Sequence, residues 1–146
     1  MKNLTRRAYS GIRQKHVNET VWNLYGYKFF QNEDCFTTLV DMCIDDLYGT
    51  DFDVIVPIKP RNSGSDIVYR LSIHIATHFD YLLVDCLSST NAKADKVYLN
   101  DIKGKNILIV DDVYTTGRTA AKAEKAIRAL KPHTVSFYAI AKAKDK

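Results

Sequence analysis

The stretch that most constrains the fold is a run of four branched apolar residues, Ile107 to Val110, followed directly by Asp111 and Asp112. Such a run is typical of a β-strand buried on both faces, as in a parallel sheet covered by helices. An alanine-rich helical segment, Ala120 to Leu130, follows after a short turn. A buried strand that leads through a turn into a helix is half of a βαβ unit, so this stretch predicts an α/β fold.

The turn between this strand and this helix is rich in hydroxyl groups and contains one glycine. Its residues are Thr115, Thr116, Gly117, Arg118 and Thr119. In parallel sheets, ligands bind beyond the carboxyl ends of the strands, where helix N-termini direct free N–H groups outward. Gly117 permits a positive φ, and the threonine hydroxyls add donors for a phosphate. The two carboxylates would repel that phosphate, so we expect them to face hydroxyls or a cation. A phosphate beside a diol describes a sugar phosphate.

The segment from Lys103 to Thr119 resembles the phosphoribosyl-diphosphate (PRPP) signature of type I phosphoribosyltransferases: an apolar strand, two acids, two spacers and Thr-Thr-Gly-x-Thr. A weaker resemblance extends over residues 51–142, and the chain looks most like the short competence-protein type. The resemblance implies a type I phosphoribosyltransferase-like α/β fold, with a mainly parallel sheet flanked by helices. We expect a single domain over residues 1–146, with a small N-terminal extension and candidate hood at 1–50, a core at 51–142 and no C-terminal hood.

The resemblance also assigns roles to individual residues. Thr115 to Thr119 would hold the 5-phosphate, while Asp111 and Asp112 would accept hydrogen bonds from the ribose diol and stabilise positive charge that develops at C1. In this family a loop after the first core strand binds the pyrophosphate, and here that loop offers Lys59 and Arg61. Two exposed loop cations without a role are the alternative interpretation of that pair. Mg²⁺ is the implied cofactor, held by ligand oxygens and water without direct protein ligands.

A loop that wraps a pyrophosphate must turn its own N–H groups toward the ligand within few residues. Relatives achieve this with a strained, sometimes cis, peptide bond. We therefore predict one non-trans or otherwise strained peptide between Ile58 and Arg61. We also predict that the side chains of Lys59 and Arg61 converge on the space above Gly117.

Hydrophobic patterning predicts the remaining elements. A helix over Asp34 to Tyr48 has a clear apolar face, with Asp41, Asp45 and Asp46 on the solvated face. Val21 to Phe30 is rich in aromatic residues and is either a strand or a short helix; its Tyr25-Gly26-Tyr27 would stack on a base or pack in the core. Further strands are predicted at Asp53–Pro57, Tyr81–Asp85, Lys96–Leu99 and Thr134–Ala141, a helix is predicted around Ile67–Phe79, and the small polar segment Leu87 to Lys96 is predicted to be a mobile loop.

Composition limits the classes of partner. The 146 residues carry a net charge of +4, which suits an anionic small molecule and is too weak to indicate nucleic acid by itself. Basic residues concentrate in 2–16, which is either a solvated arm or a segment that contacts nucleic acid. Three cysteines without a C-x-x-C pair indicate reduced thiols. Without a signal peptide or a membrane-length apolar run, we expect a cytoplasmic protein that does not bind membranes, and the family resemblance implies a homodimer.

Two functions of different class remain open. The first is an enzyme that transfers ribose 5-phosphate from PRPP to a base or amine nitrogen, with magnesium and loss of pyrophosphate. Its expected ligands are PRPP or a nucleoside 5′-monophosphate. The second is a PRPP- or nucleotide-sensing regulator that binds nucleic acid or a protein partner without catalysis. In relatives that use 6-oxopurines an acid occupies the position of Thr115, so the resemblance argues against hypoxanthine or guanine as the acceptor.

Overall fold

The structure, a computed structural model, describes residues 1–9, 18–61 and 64–143. The strands are β1 (Lys2–Asn3), β2 (Ala8–Tyr9), β3 (Val54–Pro57), β4 (Leu82–Leu83), β5 (Asn106–Tyr114) and β6 (Thr134–Ala143). The helices are α1 (Glu19–Phe30), α2 (Glu33–Asp46), α3 (Ile67–Phe79), α4 (Leu99–Ile102) and α5 (Arg118–Arg128), with a 3₁₀ turn (Lys96–Tyr98) before α4. This is the predicted alternation of strands and helices.

All paired strands run parallel, in the order β1-β6-β5-β3-β4, and β2 also pairs with β6. From β3 the chain moves outward to β4 through α3, and from β5 it moves in the opposite direction to β6 through α5. Because right-handed crossovers are the rule, this reversal places α3 and α5 on opposite faces of the sheet. The predicted parallel α/β fold is confirmed. The reversal also creates a crevice between the carboxyl ends of β3 and β5, where ligands bind in open sheets.

The centre of the sheet is β5, and its apolar run explains its position. The four residues from Ile107 to Val110 are fully buried, as expected for a strand covered by helices on both faces. On one side β5 pairs with β3 only as far as Pro57, which lies opposite Val110, whereas on the other side it pairs with β6 as far as Tyr114. The acid pair therefore lies just beyond the end of β3, at the edge of the crevice.

Helices α1 and α2 form a hairpin. Asn32 caps α2 by accepting hydrogen bonds from the N–H groups of Asp34 and Cys35 at 2.9 and 3.1 Å. Gly26 lets the two helices approach closely, because a Cβ atom there would overlap Cys35 Sγ. Val21 to Phe30 is thus helical rather than a strand. The helix predicted over Asp34 to Tyr48 is confirmed by α2.

The N-terminal segment is not a solvated arm over its described length. The strands β1 and β2 cover the outer edge of β6, and between them the Thr5 hydroxyl accepts the Ala139 N–H at 2.9 Å. Arg7 Nε donates to both carboxylate oxygens of Asp46 at 3.0 and 3.1 Å, and Tyr138 donates to the same carboxylate at 2.7 Å. Asp46 is buried, so its predicted place on a solvated face is wrong. Residues 10–17, which carry the rest of the basic cluster, lie outside the described residues.

Two other predicted elements differ. Lys96–Leu99 forms the 3₁₀ turn and the start of α4 instead of a strand, because the Asp95 side chain caps the turn at the Val97 N–H. The strand predicted over Tyr81–Asp85 is limited to Leu82–Leu83 at the sheet edge. The predicted loop after it folds back on itself through an antiparallel bridge between Leu87 and Ala94. In the described part of the chain, no helix is long and apolar enough to cross a membrane.

Candidate functional site

A cleft of about 800 Å³ opens at the carboxyl ends of β3 and β5. Five segments line it: the end of α1, the loop after β3, the start of α3, the turn between Leu87 and Ala94, and the β5–α5 connection with the first turns of α5. The polar residues that line it are Lys28, Lys59, Arg61, Ser65, Ser89, Thr90, Asn91, Asp111, Asp112, Thr115, Thr119 and Lys122. The cleft therefore combines two acids with four basic residues and several hydroxyl groups.

Asp111 and Asp112 stand side by side at the edge of this cleft. Each carboxylate accepts the N–H of the following residue, Asp112 at 2.8 Å and Val113 at 2.7 Å. Burial and the neighbouring charge of Asp112 raise the pKa of Asp111 well above its usual range. Burial opposes ionisation of Asp112 as well, but the ammonium of Lys28 outweighs it and lowers the pKa of Asp112. At neutral pH the pair therefore favours one ionised carboxylate, on Asp112, beside a carboxyl group that retains its proton more readily.

Lys28 reaches the acid pair from α1, which is remote from β5 in sequence. Its Nζ forms an ion pair with Asp112 Oδ2. Both side chains are less than one third exposed, so solvent screens the pair only in part. Lys28 thus ties α1 to the carboxyl end of the central strand.

The turn after β5 has the geometry of an anion site. Gly117 adopts φ +84 at the N-cap of α5, and a glycine provides no side chain to cap the helix. The first turn of α5 therefore has N–H groups that no N-cap side chain satisfies; only the Arg118 N–H has a side-chain acceptor, the Thr116 hydroxyl, at a long 3.4 Å. Thr115 and Thr119 line the cleft, with Lys122 one turn further along α5. The other three residues of the predicted phosphate turn, Thr116, Gly117 and Arg118, connect them but do not line the cleft.

The loop after β3 brings Lys59 and Arg61 to the cleft, but without the strain expected of it. The peptide bonds of the described residues are all trans, and no residue from Ile58 to Arg61 has a positive φ. The predicted strained peptide is therefore wrong. Hydrogen bonds from the Ile58 N–H to Val110 and from the Lys59 N–H to Asn91 hold the loop in an ordinary conformation.

Both basic residues of that loop line the same cleft as Thr115 and Thr119, although Gly117 itself does not. The ammonium of Lys59 is engaged by Asp85 Oδ1 at 2.7 Å. Arg61 is exposed at the cleft mouth. The two residues line the cleft together with Thr115 and Thr119, while Lys59 Nζ is paired with Asp85, which lies outside the cleft lining.

The last turn of α1 adds an aromatic surface to the cleft. Phe29 lines the cleft, is 68% exposed and stacks on Tyr25 with ring centroids 5.2 Å apart. Tyr25 donates to or accepts from Tyr9 at 2.9 Å, which ties this stack to β2. Tyr27, on the opposite side of the helix, is buried in the core and donates to Asp66 at 2.6 Å. Of the two tyrosines, Tyr25 backs an exposed ring and Tyr27 is a core residue.

Sequence reasoning missed Lys28, Phe29, Asn91 and Lys122. Lys122 follows Thr119 at helical spacing, so the predicted helix contained a signal that would have placed it in the first turns of α5. The other three lie far from the motif along the chain, and only the folded topology brings them to it.

A family model for the phosphoribosyl transferase domain matches residues 31–146. The chain belongs to this family. Among curated proteins, the orotate phosphoribosyltransferase of Sulfurisphaera tokodaii is 30% identical over 94 residues, which are 64% of this chain and 46% of that protein. The chain thus spans about half the length of this relative. Lys28 and Phe29 lie outside the part that the family model matches.

Solved phosphoribosyltransferases share the fold. One is adenine phosphoribosyltransferase from Saccharomyces cerevisiae, in complex with an imino-altritol bisphosphate and adenine. Its TM-score is 0.57 at 20% identity, and the aligned part covers 77% of this chain and 71% of that chain. Orotate phosphoribosyltransferase from Aeropyrum pernix has a TM-score of 0.53 at 17% identity, with coverage of 75% and 60%. The type I phosphoribosyltransferase fold is confirmed, whereas the finer resemblance to the competence-protein type stays a prediction.

The donor atoms of this phosphoribosyltransferase domain suit magnesium. In the described part of the chain, no three His, Cys, Asp or Glu side chains form a group that could hold an ion. The acid pair offers only hard carboxylate oxygens, one of them already paired with Lys28. Mg²⁺ prefers such oxygens and often keeps several waters while it bridges phosphates. The residues therefore fit an ion held mainly by ligand oxygens and water, with Asp111 and Asp112 nearby.

Proposed function

We propose that this protein transfers ribose 5-phosphate from PRPP to a nitrogen of a base or amine and releases pyrophosphate, with Mg²⁺ as cofactor. The observation that carries the proposal is the acid pair, which lies in one cleft with an uncapped helix N-terminus and four basic side chains. Family membership supports the same conclusion. We assign Asp111 and Asp112 to catalysis, Thr115 to Thr119 to the 5-phosphate, and Lys59 and Arg61 to the pyrophosphate.

The acid pair would stabilise the positive charge that develops on the sugar during the transfer. The bond between C1 and the pyrophosphate oxygen breaks, and its electron pair leaves with the pyrophosphate. The acceptor nitrogen donates its lone pair to C1 and then loses a proton. Positive charge on the sugar ring is greatest between these events, and an ionised Asp112 in a partly water-excluded site stabilises it electrostatically. Asp111, which retains its proton more readily, can donate to one ribose hydroxyl while Asp112 accepts from the other.

The two ends of PRPP would contact different parts of the cleft. The 5-phosphate fits the first turn of α5, where Thr115, Thr119 and Lys122 line the cleft beside a helix N-terminus whose N-cap residue has no side chain. The pyrophosphate fits the loop after β3, where Lys59 provides a point charge and Arg61 a forked donor. Magnesium, when bound with PRPP, would neutralise part of the pyrophosphate charge.

The acceptor would bind beside α1. Phe29 presents an exposed ring, already stacked on Tyr25, within the cleft that holds the acid pair. A planar base gains stacking energy on such a surface that a small aliphatic amine does not gain. This favours a base over an amine as the acceptor. Thr115, in the position of the acid used for 6-oxopurines, argues against hypoxanthine and guanine.

The regulator alternative has less support in the described residues. Arg7, one of the basic residues assigned to a nucleic-acid-binding segment, is engaged by the buried carboxylate of Asp46. The homodimer and the cytoplasmic location implied by the family resemblance remain predictions, as does the division into an extension at 1–50 and a core at 51–142. Sedimentation of the purified protein would test the dimer.

The deciding experiment is incubation of the protein with PRPP and magnesium and pooled nucleobases and amines, with pyrophosphate release as the readout. We expect release that depends on one component of the pool. In parallel, PRPP or a nucleoside 5′-monophosphate should stabilise the protein by about 2.7 kcal/mol at 100 times Kd, measured by thermal unfolding. Stabilisation by PRPP without pyrophosphate release from any pool would support the regulator. No response to any ribose 5-phosphate ligand would exclude both functions.

A further inference from the structure

Asn91 is a nearly buried polar residue that lies between two loops of the cleft. Its side chain is 6% exposed, and its backbone has a positive φ of 62. Its Oδ1 accepts the Lys59 N–H at 2.7 Å, and its Nδ2 donates to the Lys59 carbonyl at 3.1 Å. One amide side chain thus satisfies both backbone polar groups of one residue, as a neighbouring strand would.

The turn that carries Asn91 is built to present it. The Asn91 N–H bonds to the Ser88 carbonyl at 2.8 Å, and the Ser88 N–H bonds to the Lys93 carbonyl at 2.8 Å. Asparagine tolerates a left-handed conformation better than most residues. The turn tip can therefore direct this amide at the loop after β3, 32 positions earlier in the chain.

Two contacts from the segment after β4 thereby hold Lys59. Asn91 fixes its backbone, and Asp85 holds its ammonium at 2.7 Å. The Lys59 N–H is therefore not free for a ligand, the Ile58 N–H is bonded to Val110, and Pro60 has no N–H. These three positions therefore offer an anion no free N–H group, so the direction in which the Lys59 side chain leaves the backbone matters for binding there.

We infer that Asn91 is a positioning residue for the pyrophosphate end of the ligand, which acts by fixing the backbone of Lys59. This inference rests on the proposed function. The amide contacts the loop and not the phosphate turn of α5, so its effect is confined to one end of the cleft. Loss of the amide lets the loop rotate, and Lys59 then spends part of its time turned away from the anion.

Binding of three probes to the full chain, measured by calorimetry with magnesium, tests the inference: inorganic pyrophosphate, ribose 5-phosphate and PRPP. Asn91→Gly keeps the backbone conformation and removes the amide. We expect the Kd for pyrophosphate and for PRPP to rise about tenfold, the equivalent of about one net hydrogen bond, while that for ribose 5-phosphate stays within about twofold. Asn91→Asp keeps an acceptor for the N–H, but when ionised it has no donor for the carbonyl and adds a negative charge beside the anion. We therefore expect a loss at least as large as that of Asn91→Gly.

Two further variants serve as controls. Lys131→Gly also replaces a non-glycine residue of positive φ, 58, in a turn remote from the cleft lining, and should change none of the three affinities. Lys59→Met removes the ammonium through which Asn91 is inferred to act. In that background Asn91→Gly should add little further loss, because the two changes act on one interaction.

Several results would overturn the inference. Equal weakening of ribose 5-phosphate and pyrophosphate by Asn91→Gly would make the amide a general support of the cleft. Additive losses from Asn91→Gly and Lys59→Met would mean that Asn91 does not act through Lys59. If the unmodified protein binds ribose 5-phosphate but not pyrophosphate, the inference fails while a sugar-phosphate site remains. If it binds neither probe nor PRPP, the proposed function itself fails.

Discussion

The two walls of the cleft are built in different ways. One wall, the contiguous wall, is the single segment Asp111–Thr119. The other, the assembled wall, combines four segments: Lys28–Phe29, Ile58–Arg61, residues 64–68 and Ser89–Asn91. Both carboxylates of the contiguous wall accept the backbone N–H of the next residue, as Asp111 does from Asp112. Polar side chains of the assembled wall bond across the fold: Lys28 contacts Asp112, and Asn91 contacts Lys59.

Because the two walls are built differently, they contribute different kinds of group to the site. In the proposed function the contiguous wall carries the groups closest to the sugar, and local hydrogen bonds orient its two carboxylates. The assembled wall carries cations and an aromatic ring whose positions depend on contacts between residues more than 30 positions apart. We therefore expect substitutions in the contiguous wall to alter chemistry in a folded protein, and substitutions in the assembled wall to alter binding and stability together.

The largest effect is expected from the double change Asp111→Asn with Asp112→Asn. Loss of one well-placed electrostatic group costs on the order of 10²–10³ in rate, so pyrophosphate release should fall at least that far. The fold should persist, because Asn Oδ1 can accept the same backbone N–H groups as the two carboxylates. Pyrophosphate release and circular dichroism measure the two outcomes.

The matched control for the acid pair is Asp41→Asn with Asp101→Asn. It removes the same charge from two exposed acids outside the cleft lining. Turnover should be unchanged. If the double change in the acid pair unfolds the protein and the control does not, the acids of the contiguous wall are structural.

A smaller effect is expected from Gly117→Ala, compared with Gly104→Ala. Both glycines have a positive φ, 84 and 72, so both substitutions incur backbone strain. A Cβ at Gly117 would lie 2.5 Å from Tyr114 Oη, whereas one at Gly104 meets nothing within 4 Å. Gly117→Ala should therefore lower the free energy of unfolding by about 1–2 kcal/mol more than Gly104→Ala, measured by urea denaturation. Equal losses would mean that Tyr114 moves aside without cost and that the turn is less tightly packed.

The smallest effect is expected from Lys28→Met in the assembled wall. Lys28 lowers the pKa of Asp112, so the stability it provides is present above the pKa of an unfolded aspartate, about 3.9, and is lost as pH falls through the lowered pKa of the folded state. We expect a loss of about 1–2 kcal/mol at pH 7, intermediate between exposed and buried pairs, that shrinks as pH falls below about 3.9. Unfolding measured from pH 2 to 8 tests this.

Lys28→Arg keeps the charge and should retain most of that stability. A loss by Lys28→Met that is constant with pH would show that packing of the lysine stem matters more than its charge. In either case the assembled wall would be joined to the contiguous wall through α1.

The contiguous wall could be predicted from the sequence, whereas Lys28 and Asn91 in the assembled wall could not. The order Ile107–Val110, Asp111, Asp112 and the threonine-rich turn predicted a central strand and a phosphate turn, because every contact involved is local in sequence. Lys28 and Asn91 had no such pattern, since one lies in an aromatic-rich helix and the other in a small polar loop. Their roles arise from parallel pairing and crossovers, which bring distant segments to one edge of the sheet.

Some predictions about the fold were wrong because contacts between residues distant in sequence decide the outcome. Asp46 follows the polar face of α2 by periodicity, yet Arg7 and Tyr138 form a buried ionic cluster around it. The strain expected in the loop after β3 came from the family resemblance. Here the positive φ belongs to Asn91 on the opposing turn, while the loop itself has none.

The short strands β1 and β2 bear on how the molecule avoids aggregation. They cover β6, whose segment Phe137-Tyr138-Ala139-Ile140-Ala141 is fully apolar apart from one hydroxyl and is buried. An uncovered strand of this composition is a template for pairing with other chains. The opposite edge of the sheet is protected from such pairing in a different way: its strand, β4, has only two residues. Removal of the first nine residues would therefore leave the edge of β6 free to pair with strands of other chains. The solubility of the protein depends on keeping those residues in place.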